Sequence, residues 1–500
     1  MPELPLITRA KSYENRPAIH AKGIDHSYAD LLKASAALAK QLLGNSPDLA
    51  EARIAFMAPA GFDYFAIQWA IWRAGGVALP LSSSATLPEL QHAVTDCGAS
   101  HVVTVGSNIE KLAPLCAVGG PQLVDFGEVP PCEPEASFPE IEPSRRAMIL
   151  YTSGTTSRPK GVVTTHANIQ AQIETLVDAW EWSKDDTIPL FLPMHHIHGI
   201  INISSCALWC GAKLEAFSRF EMSTILDRVA AGAYSVFMAV PTIYVKLIER
   251  LESDRIDSPS QRAILDGFAK MRLMVSGSAA LPPSVHLKWT SLTGQHLLER
   301  YGMTETGMMI ANPLHGERRP GAVGQPLPTV QIRLKAEKGA GPVNPGEPGE
   351  IQVKGPIVFS EYWNLPEVTE ASFDDGWFRT GDMAVMEDDY YRIMGRLSTD
   401  IIKSGGYKLS ALEIEAALLE HPGIRECAVI GIPDDTWGEM VAAVLSFENS
   451  EDPISLQALH SWGKDRLSPY KLPRKISIVE QLPRNAMGKV PKPQLKELFQ

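Results

Sequence analysis

The fold is decided by residues 53–81, which read RIAFMAPAGFDYFAIQWAIWRAGGVALPL. The apolar run at 53–57 has the length of a buried strand, 62–73 has the apolar spacing of a helix, and 77–81 reads as a strand again. The alternation extends in both directions, with a helix at 31–43, a helix at 87–97 and a strand at 101–105. Strands that alternate with helices indicate βαβ units, so we predict an α/β fold of largely parallel sheets covered by helices.

The same rhythm returns in the middle of the chain, where the pattern predicts strand 234–240, helix 241–251, strand 272–276 and helix 282–293. The segment 335–350 is rich in Gly, Pro and charge. Such a composition is typical of a turn between strands, so we do not place a domain boundary there.

The pattern changes near residue 396, after a predicted strand at 390–394. A polar stretch follows, and Ser410 with Glu413 fits a capping box for a helix at 411–420. The remaining pattern predicts strands at 425–432, 441–447 and 474–479 and a helix at 455–467. We therefore predict a large N-terminal domain of βαβ-rich sheets, residues 1–395, and a small mobile α+β domain, residues 396–500.

Composition narrows the class of protein. The 500 residues include 46 Lys and Arg against 58 Asp and Glu, a net charge of −12, and 45% are hydrophobic. This is globular composition, which excludes disordered, collagen-like and coiled-coil chains. Without a long basic run, the chain lacks the electrostatic footprint of a nucleic-acid-binding protein.

Cysteines and the chain start indicate the compartment. The six cysteines include no C-x-x-C pair, which is typical of free thiols in a reducing compartment. The N-terminus resembles neither a signal nor a transit peptide, and the longest apolar run, 199–212, is too short to cross a bilayer. We expect a cytoplasmic protein without a membrane partner; a mature organellar form stays open.

The strongest local motif is YTSGTTSRPKG at 151–161, which follows an apolar strand at 147–150. Its hydroxyls, backbone N–H groups and Lys160 can wrap a polyphosphate. It is not a Walker A loop, because Pro and not Gly precedes Lys160, so a P-loop kinase or ATPase is disfavoured. The alternative is an ordinary polar surface loop. The residues predicted to hold phosphate are Thr152, Ser153, Gly154, Thr155, Thr156 and Lys160.

Four further motifs follow in order, YGMTE at 301–305, WFRTGD at 377–382, GR at 395–396 and PRNAMGK at 483–489. With the phosphate loop they make the chain resemble the adenylate-forming acyl-CoA synthetase superfamily from about residue 28 to 495. Longer stretches, among them LPMHHIHG at 192–199 and GGYKLSALEIE at 405–415, are most similar to malonyl-CoA synthetases of the plant and mitochondrial type.

The resemblance implies a two-step reaction on small molecules. A carboxylate attacks the α-phosphate of MgATP to give an acyl-adenylate and pyrophosphate, and the thiol of coenzyme A then displaces AMP. The C-terminal domain is expected to swing between the steps about a hinge at 397–400. Malonate is the expected acid, with methylmalonate as a second candidate, and the protein is expected to be a monomer or weak dimer.

The family's pattern also assigns roles to single residues. It places the Mg²⁺-associated glutamate at Glu305, a phosphate contact at Thr304, ribose contacts at Asp382 and Arg396, and at Lys489 a lysine that bridges carboxylate and phosphate. The further nucleotide contacts that the resemblance implies are Ser276, Gly277, Ser278, Arg300, Tyr301 and Gly302. The coenzyme A contacts that it implies are Lys403, Ser404, Gly405 and Gly406.

Lys246 is the candidate for substrate choice. It lies on a helix that the resemblance expects to line the acyl pocket, and a dicarboxylate needs a cation for its distal carboxylate. The alternative is an exposed helix lysine. Ser276 and Ser278 are expected to assist Lys246. His196 is expected to guard the acyl and thiol channels, whereas His195 and His198 are expected to pack in the core, since no metal-ligating spacing surrounds them.

One position departs from the family's pattern. Ser157 stands where the phosphate loop usually has Gly, and a left-handed conformation there would cost a Ser about 1–2 kcal/mol. We therefore expect Ser157→Gly to keep or improve activity.

Two other classes of function stay open. The chain could be a CoA ligase for another short-chain or aromatic monocarboxylate, for which Lys246→Ala would be harmless. It could instead be an adenylation enzyme that loads a carrier protein in trans. A silent binding protein is disfavoured, because Lys160, Glu305, Asp382 and Lys489 are all present.

Overall fold

The computed structural model describes residues 3–130, 137–152, 159–253, 259–336, 341, 343–344, 346–405, 407–434, 436–447, 454–484 and 490–499. The helices are α1 (Pro5–Lys11), α2 (Tyr28–Leu43), α3 (Phe62–Arg73), α4 (Leu87–Asp96), α5 (Asn108–Leu112), α6 (His166–Ala179), α7 (Cys206–Cys210), α8 (Met222–Ala230), α9 (Pro241–Ser253), α10 (Pro259–Ala269), α11 (Pro283–Thr293), α12 (Pro366–Ala371), α13 (Ala411–Leu418), α14 (Leu456–Gly463) and α15 (Lys492–Leu495). A π-helical segment, His198–Ser205, precedes α7.

The strands are β1 (Pro17–Ala21), β2 (Ile24–Ser27), β3 (Arg53–Met57), β4 (Val77–Pro80), β5 (His101–Thr104), β6 (Gln122–Asp125), β7 (Arg146–Thr152), β8 (Lys160–Thr165), β9 (Thr187–Leu190), β10 (Lys213–Ala216), β11 (Val236–Ala239), β12 (Leu273–Ser276), β13 (Leu298–Met303), β14 (Gly307–Ala311), β15 (Gln325–Pro326), β16 (Gln331–Lys335), β17 (Gly349–Lys354), β18 (Glu361–Tyr362), β19 (Phe373–Asp374), β20 (Trp377–Glu387), β21 (Tyr390–Arg396), β22 (Ile401–Ser404), β23 (Tyr407–Ser410), β24 (Ile424–Asp434), β25 (Gly438–Phe447) and β26 (Lys475–Ile478).

The stretch 53–81 forms the centre of a seven-stranded sheet in the order β18-β8-β7-β4-β3-β5-β6. Strands β6, β5, β3, β4 and β7 run parallel, as predicted, and β8 and β18 add an antiparallel edge. Helix α3 is apolar on all sides, and every residue from Tyr64 to Arg73 is buried. A helix without a polar face belongs inside the fold, which is where α3 lies, against α2 and the sheet.

A second sheet carries much of the candidate site, in the order β11-β12-β13-β14-β15. Its first three strands are parallel, and β13 and β14 form a hairpin. Ligands of open α/β sheets bind beyond the carboxyl ends of parallel strands. The residues that follow β12 and β13 therefore lie where a substrate is expected.

A mixed four-stranded sheet, β2-β1-β10-β9, and an antiparallel sheet of β16, β17, β19, β20 and β21 complete the larger part of the chain. The segment 335–350 joins the antiparallel strands β16 and β17, as predicted. The long strand β20 was not predicted.

The C-terminal part has its own sheet, β23-β22-β25-β24, with β26 beside β25. Alternate residues of β24 and β25 fill two separate cores, one including Val429 and Leu445 and the other including Ile430 and Val444. Strand β21 belongs to the preceding sheet, so the change of sheet falls between Arg396 and Ile401.

Two details of the C-terminal prediction are wrong. The predicted helix 455–467 ends at Gly463, where buried Leu467 and Leu472 turn back onto the core. The capping box is only half formed. Ser410 accepts from the Glu413 N–H at 3.1 Å, but the Glu413 carboxylate pairs with Lys471 at 2.5 Å instead of returning to the cap.

Among the described helices, none is long and apolar enough to cross a membrane.

Candidate active site

The predicted phosphate loop connects the two strands of a hairpin. Strand β7 ends at Thr152, β8 begins at Lys160, and these two residues are cross-strand partners. The Lys160 ammonium lies 5.2 Å from the centre of the Tyr362 ring. Ser153, Gly154, Thr155, Thr156 and Ser157 lie outside the described residues, so their predicted roles stay predictions.

Glu305 lies in the turn between β13 and β14, next to Thr304. The Tyr362 hydroxyl donates to Glu305 Oε1 at 2.9 Å, and Glu305 is 7% exposed. Burial raises the pKa of this carboxyl group, while Tyr362 and the charges of Arg396 and Lys160 act against the rise. The cost of burying the carboxylate would fall if a cation bound to it, which suits a Mg²⁺ ligand.

The hairpin around Glu305 depends on a glycine at position 302. A Cβ on Gly302 would lie 2.1 Å from the carbonyl oxygen of Gly307 on the facing strand. The register shifts between Tyr301 and Gly302 at this point. Gly302 therefore lets the two strands approach closely, and its predicted nucleotide contact stays a prediction.

Asp382 on β20 is buried and has two partners. Arg396 on β21 donates to its carboxylate from Nε at 3.0 Å and from Nη2 at 3.3 Å, and the Tyr301 hydroxyl donates at 2.5 Å. The strand register sets Asp382 opposite Arg396. Burial raises the pKa of Asp382, and the charge of Arg396 opposes the rise. A carboxylate has further lone pairs, so Asp382 can still accept from a diol.

Arg300 precedes Tyr301 on β13 and therefore points to the opposite face of the strand. Its Nη2 donates to Ser278 Oγ at 3.0 Å, and the same hydroxyl lies 3.2 Å from Nδ1 of buried His198. Arg300 is 4% exposed, its Nε is without a partner, and no carboxylate among the described residues pairs with it. Burial lowers its pKa to about 9.

Gly277 and Ser278 hold this arrangement together. A Cβ on Gly277 would lie 2.5 Å from Arg300 Nε, so the guanidinium packs against the bare backbone. Ser278 has a φ of +69°, a conformation that costs a non-glycine residue energy and is concentrated at functional sites. Ser276, which ends β12, is buried and its hydroxyl has no partner among the described residues.

Lys246 lies on the exposed side of α9, away from the helix face that packs on the core. The buried face of the helix includes Tyr244, Leu247 and Leu251, and Tyr244 donates to the Val275 carbonyl at 2.9 Å. At 100° per residue, Lys246 is about 200° from Tyr244 around the helix. Its side chain is exposed, and the structure records no hydrogen bond or ion pair to it within the described ranges.

The three histidines occupy different environments. His198 is buried, as predicted, and burial holds its pKa well below the usual range. His195 and His196 pack ring against ring, with centroids 4.1 Å apart, and burial lowers the pKa of His195 to about 3. His196 is half-buried. Besides burial, Arg300 and His196 lower the pKa of His198 electrostatically. No cluster of three or more metal-ligating side chains occurs in the described part of the chain.

The predicted coenzyme A contacts lie on β22 and the turn after it. Lys403 is exposed, Ser404 is buried, and the Gly405 N–H donates to the Trp437 carbonyl at 2.9 Å. A Cβ on Gly405 would lie 2.8 Å from the Trp437 ring, and the Arg474 guanidinium lies 4.2 Å from the centre of that ring. Gly406 and Lys489 are outside the described residues.

The chain belongs to the AMP-binding enzyme family. Residues 6–363 match that family, and residues 413–489 match the AMP-binding enzyme C-terminal domain. This confirms the resemblance to adenylate-forming enzymes and the two-part α/β fold expected from it.

Particular relatives are more informative about the subgroup. The chain is 42% identical to the mitochondrial malonate–CoA ligase ACSF3 of Xenopus laevis, over 98% of this chain and 91% of that protein. It is 40% identical to the malonate–CoA ligase of Arabidopsis thaliana, over 97% and 86%. The crystal structure of ATP-bound MatB from Rhodopseudomonas palustris superposes with a TM-score of 0.88 at 33% identity, covering 100% of both chains.

Sequence reasoning missed Tyr362, Trp437 and the link between Arg300 and His198. Tyr362 lies in the stretch EYWN at 361–364, which also carries the resemblance, but it was given no role there. Trp437 lies outside the motifs, and both residues reach the site only through tertiary contacts. Arg300 could have been recognised, because strand alternation separates it from Tyr301. The sequence reading grouped it with the nucleotide contacts.

Proposed function

We propose that this protein is an ATP-dependent malonate–CoA ligase that forms malonyl-CoA, AMP and pyrophosphate through a malonyl-adenylate. Methylmalonate is a second candidate substrate. The names of the two ligase relatives support the choice of malonate, and the observation that carries it is the buried guanidinium of Arg300, which has no counter-charge among the described residues.

Arg300 answers a chemical requirement of a dicarboxylate. One carboxylate of malonate must react and the other must be held. A buried cation without a counter-charge is costly, and a carboxylate relieves that cost by accepting from its N–H groups. Ser278 and neutral His198 add two polar groups beside the guanidinium. We therefore assign recognition of the distal carboxylate to Arg300, in place of the exposed Lys246.

The nucleotide is proposed to bind on the other face of β13. Asp382 accepts from the ribose hydroxyls, with Arg396 and Tyr301 orienting its carboxylate. We propose that Lys160 and the hydroxyls of the motif before it bind the phosphates, and that Thr304 contacts them beside Glu305. Glu305 would hold Mg²⁺, which neutralises phosphate charge when bound.

The two half-reactions are proposed to use different faces of the C-terminal part. In adenylation, Lys489 bridges the attacking carboxylate and the α-phosphate, and this positive charge stabilises the negative charge that develops. Rotation of a domain of residues 396–500 against residues 1–395, about 397–400, then brings Lys403, Ser404, Gly405 and Gly406 to the thiol channel guarded by His196. Trp437, beside Gly405, extends that surface.

The test is release of AMP with coenzyme A present, over a panel of malonate, methylmalonate, succinate, acetate, butyrate and coumarate. We expect the rate with malonate to exceed the rates with acetate and butyrate by at least about 30-fold. This factor corresponds to the lower end of the free energy lost when one partner of a buried charge pair is removed. A monocarboxylate in first place would overturn the choice of malonate but leave the family unchanged. Acyl-AMP without any thioester would indicate loading of a carrier protein in trans.

We also propose that the protein works in the cytoplasm as a monomer or weak dimer. The Xenopus relative is named as mitochondrial, so fractionation with organelle markers is the deciding measurement. Light scattering across a concentration series tests the oligomeric state.

A further inference from the structure

A largely buried group of three charges connects the C-terminal segment to the turn between the two parts of the chain. Lys492 Nζ lies 2.6 Å from Asp400 Oδ1 and 2.7 Å from Glu415 Oε1. The three side chains are 13%, 16% and 14% exposed. Burial alone would lower the pKa of Lys492, but the two carboxylates outweigh it and raise that pKa, so the lysine stays charged.

Each carboxylate is in turn fixed to backbone. Asp400 Oδ2 accepts from the Arg396 N–H at 2.9 Å, and Glu415 Oε1 accepts from the Val429 N–H at 2.7 Å. Arg396 is the residue whose guanidinium pairs with Asp382. A continuous set of contacts therefore runs from Lys492 through Asp400 and Arg396 to the candidate ribose carboxylate.

Lys492 also lies three residues after Lys489. It begins α15, whose Leu495 is buried against Ala428 and Ile430 on β24. The described chain from residue 490 onward is thus anchored by one largely buried cation and one buried leucine. Displacement of Lys492 would release both the start of α15 and the turn 396–400.

From this geometry we infer that Lys492 is a positioning residue for adenylation, which sets the Lys489 segment and the Arg396–Asp382 pair in register through Asp400 and Glu415. This inference rests on the proposed function, because it takes Lys489 as the lysine of adenylation. Lys492 itself touches no substrate in this scheme. Its contribution is to geometry, and errors of about 1 Å at a reacting group cost on the order of 100-fold in rate.

The experiment compares Lys492→Met with Lys496→Met in the full chain. Lys496 is exposed in the same segment and serves as the matched control. Adenylation is followed as malonate-dependent exchange of pyrophosphate into ATP, and the second step as thioester formation from synthetic malonyl-adenylate. We expect Lys492→Met to slow exchange by roughly 10- to 100-fold and thioester formation by much less. Lys496→Met should change neither.

Two further variants separate positioning from folding. Lys492→Arg keeps the cation and should restore most of the exchange rate. Asp400→Asn combined with Lys492→Met should be hardly slower than the slower single variant, because both changes break one connection. Thermal unfolding of each variant gives the folded fraction.

The outcomes are distinct for the two proposals. Equal losses in both half-reactions, or additive losses with Asp400→Asn, would overturn the positioning role. An exchange rate of Lys492→Met equal to that of Lys496→Met would overturn it too. Failure of the proposed function would be seen earlier, because the unmodified protein would show no exchange with malonate.

Discussion

Arg300 and Arg396 are two arginines of one candidate site with opposite surroundings. Arg396 donates two hydrogen bonds to the carboxylate of Asp382, and its side chain is 35% exposed. Arg300 is more deeply buried, and its polar partner among the described residues is the hydroxyl of Ser278. The two arginines lie on opposite sides of β13. Tyr301, the residue after Arg300, reaches Asp382, so Arg396 and Asp382 lie on the face opposite to Arg300.

The difference indicates what each arginine does before substrate binds. A paired guanidinium orients its carboxylate, and removal of either partner leaves a charge without compensation. An unpaired buried guanidinium has its desolvation cost uncompensated and gains most from an anionic ligand. Arg396 is therefore expected to act through Asp382, and Arg300 directly on an acid.

Arg300→Met should give the largest effect. The loss in kcat/KM for malonate should be roughly 30- to 1,000-fold, which corresponds to about 2–4 kcal/mol for one partner of a buried charge pair. The rate with acetate should change little, because acetate has no second carboxylate. Steady-state kinetics on both acids measure the ratio.

Lys246→Ala is the matched control for that variant. It removes a cation of the same sign from the exposed side of α9, so its kinetics with malonate should remain within about twofold. If Lys246→Ala caused the large loss and Arg300→Met did not, the two assignments would have to be exchanged.

Arg396→Met should affect the nucleotide instead of the acid. Asp382 would keep Tyr301 as a donor but lose its ion pair. We expect KM for ATP to rise roughly tenfold and the free energy of unfolding to fall by about 1–3 kcal/mol. The preference for malonate over acetate should stay unchanged, as a competition assay with both acids would show. A changed preference would mean that the two arginines act on the same ligand.

Gly277→Ala tests whether the position of Arg300 matters as well as its charge. The new methyl group would lie 2.5 Å from Arg300 Nε, so the guanidinium would have to move. We expect a loss of roughly tenfold with malonate and little change with acetate. Gly423→Ala, where the nearest atom would be 3.4 Å away, is the control. Equal losses with both acids would indicate a general distortion of β12.

Much of this fold could be predicted, because the parallel core is a local pattern. Helix α3 begins and ends at the predicted residues, and β3 does as well. The long strand β20 was harder to predict, because Gly381 and Asp382 interrupt its apolar residues and its buried positions do not alternate regularly. The capping interaction of Glu413 failed because the distant Lys471 competes for its carboxylate.

The site was predictable in type but not in detail. Motifs identified Glu305, Asp382 and Arg396, which the structure brings together around Tyr301 and Tyr362. Motifs could not show that Arg300 has no counter-charge in the described ranges, because that depends on contacts from the residues after β12 and from the π-helical segment. The helical periodicity of α9 did contain the signal that Lys246 faces away from Tyr244.

The smallest expected effect is a shift in the pH dependence of activity, which should differ between the variants of the two arginines. Glu305 must be ionised to bind Mg²⁺, and burial raises its pKa, so kcat/KM for MgATP should rise with pH through a value above the ordinary one for glutamate. The charge of Arg396 favours the carboxylate and lowers that pKa. Arg396→Met should therefore move the acid limb of the pH profile to higher pH. Arg300→Met should move the limb much less, because the largest charge effects on Glu305 come from Arg396 and Lys160. Equal shifts in the two variants would show that the pKa of Glu305 responds to the total charge of the site. The two arginines would then not have separate roles.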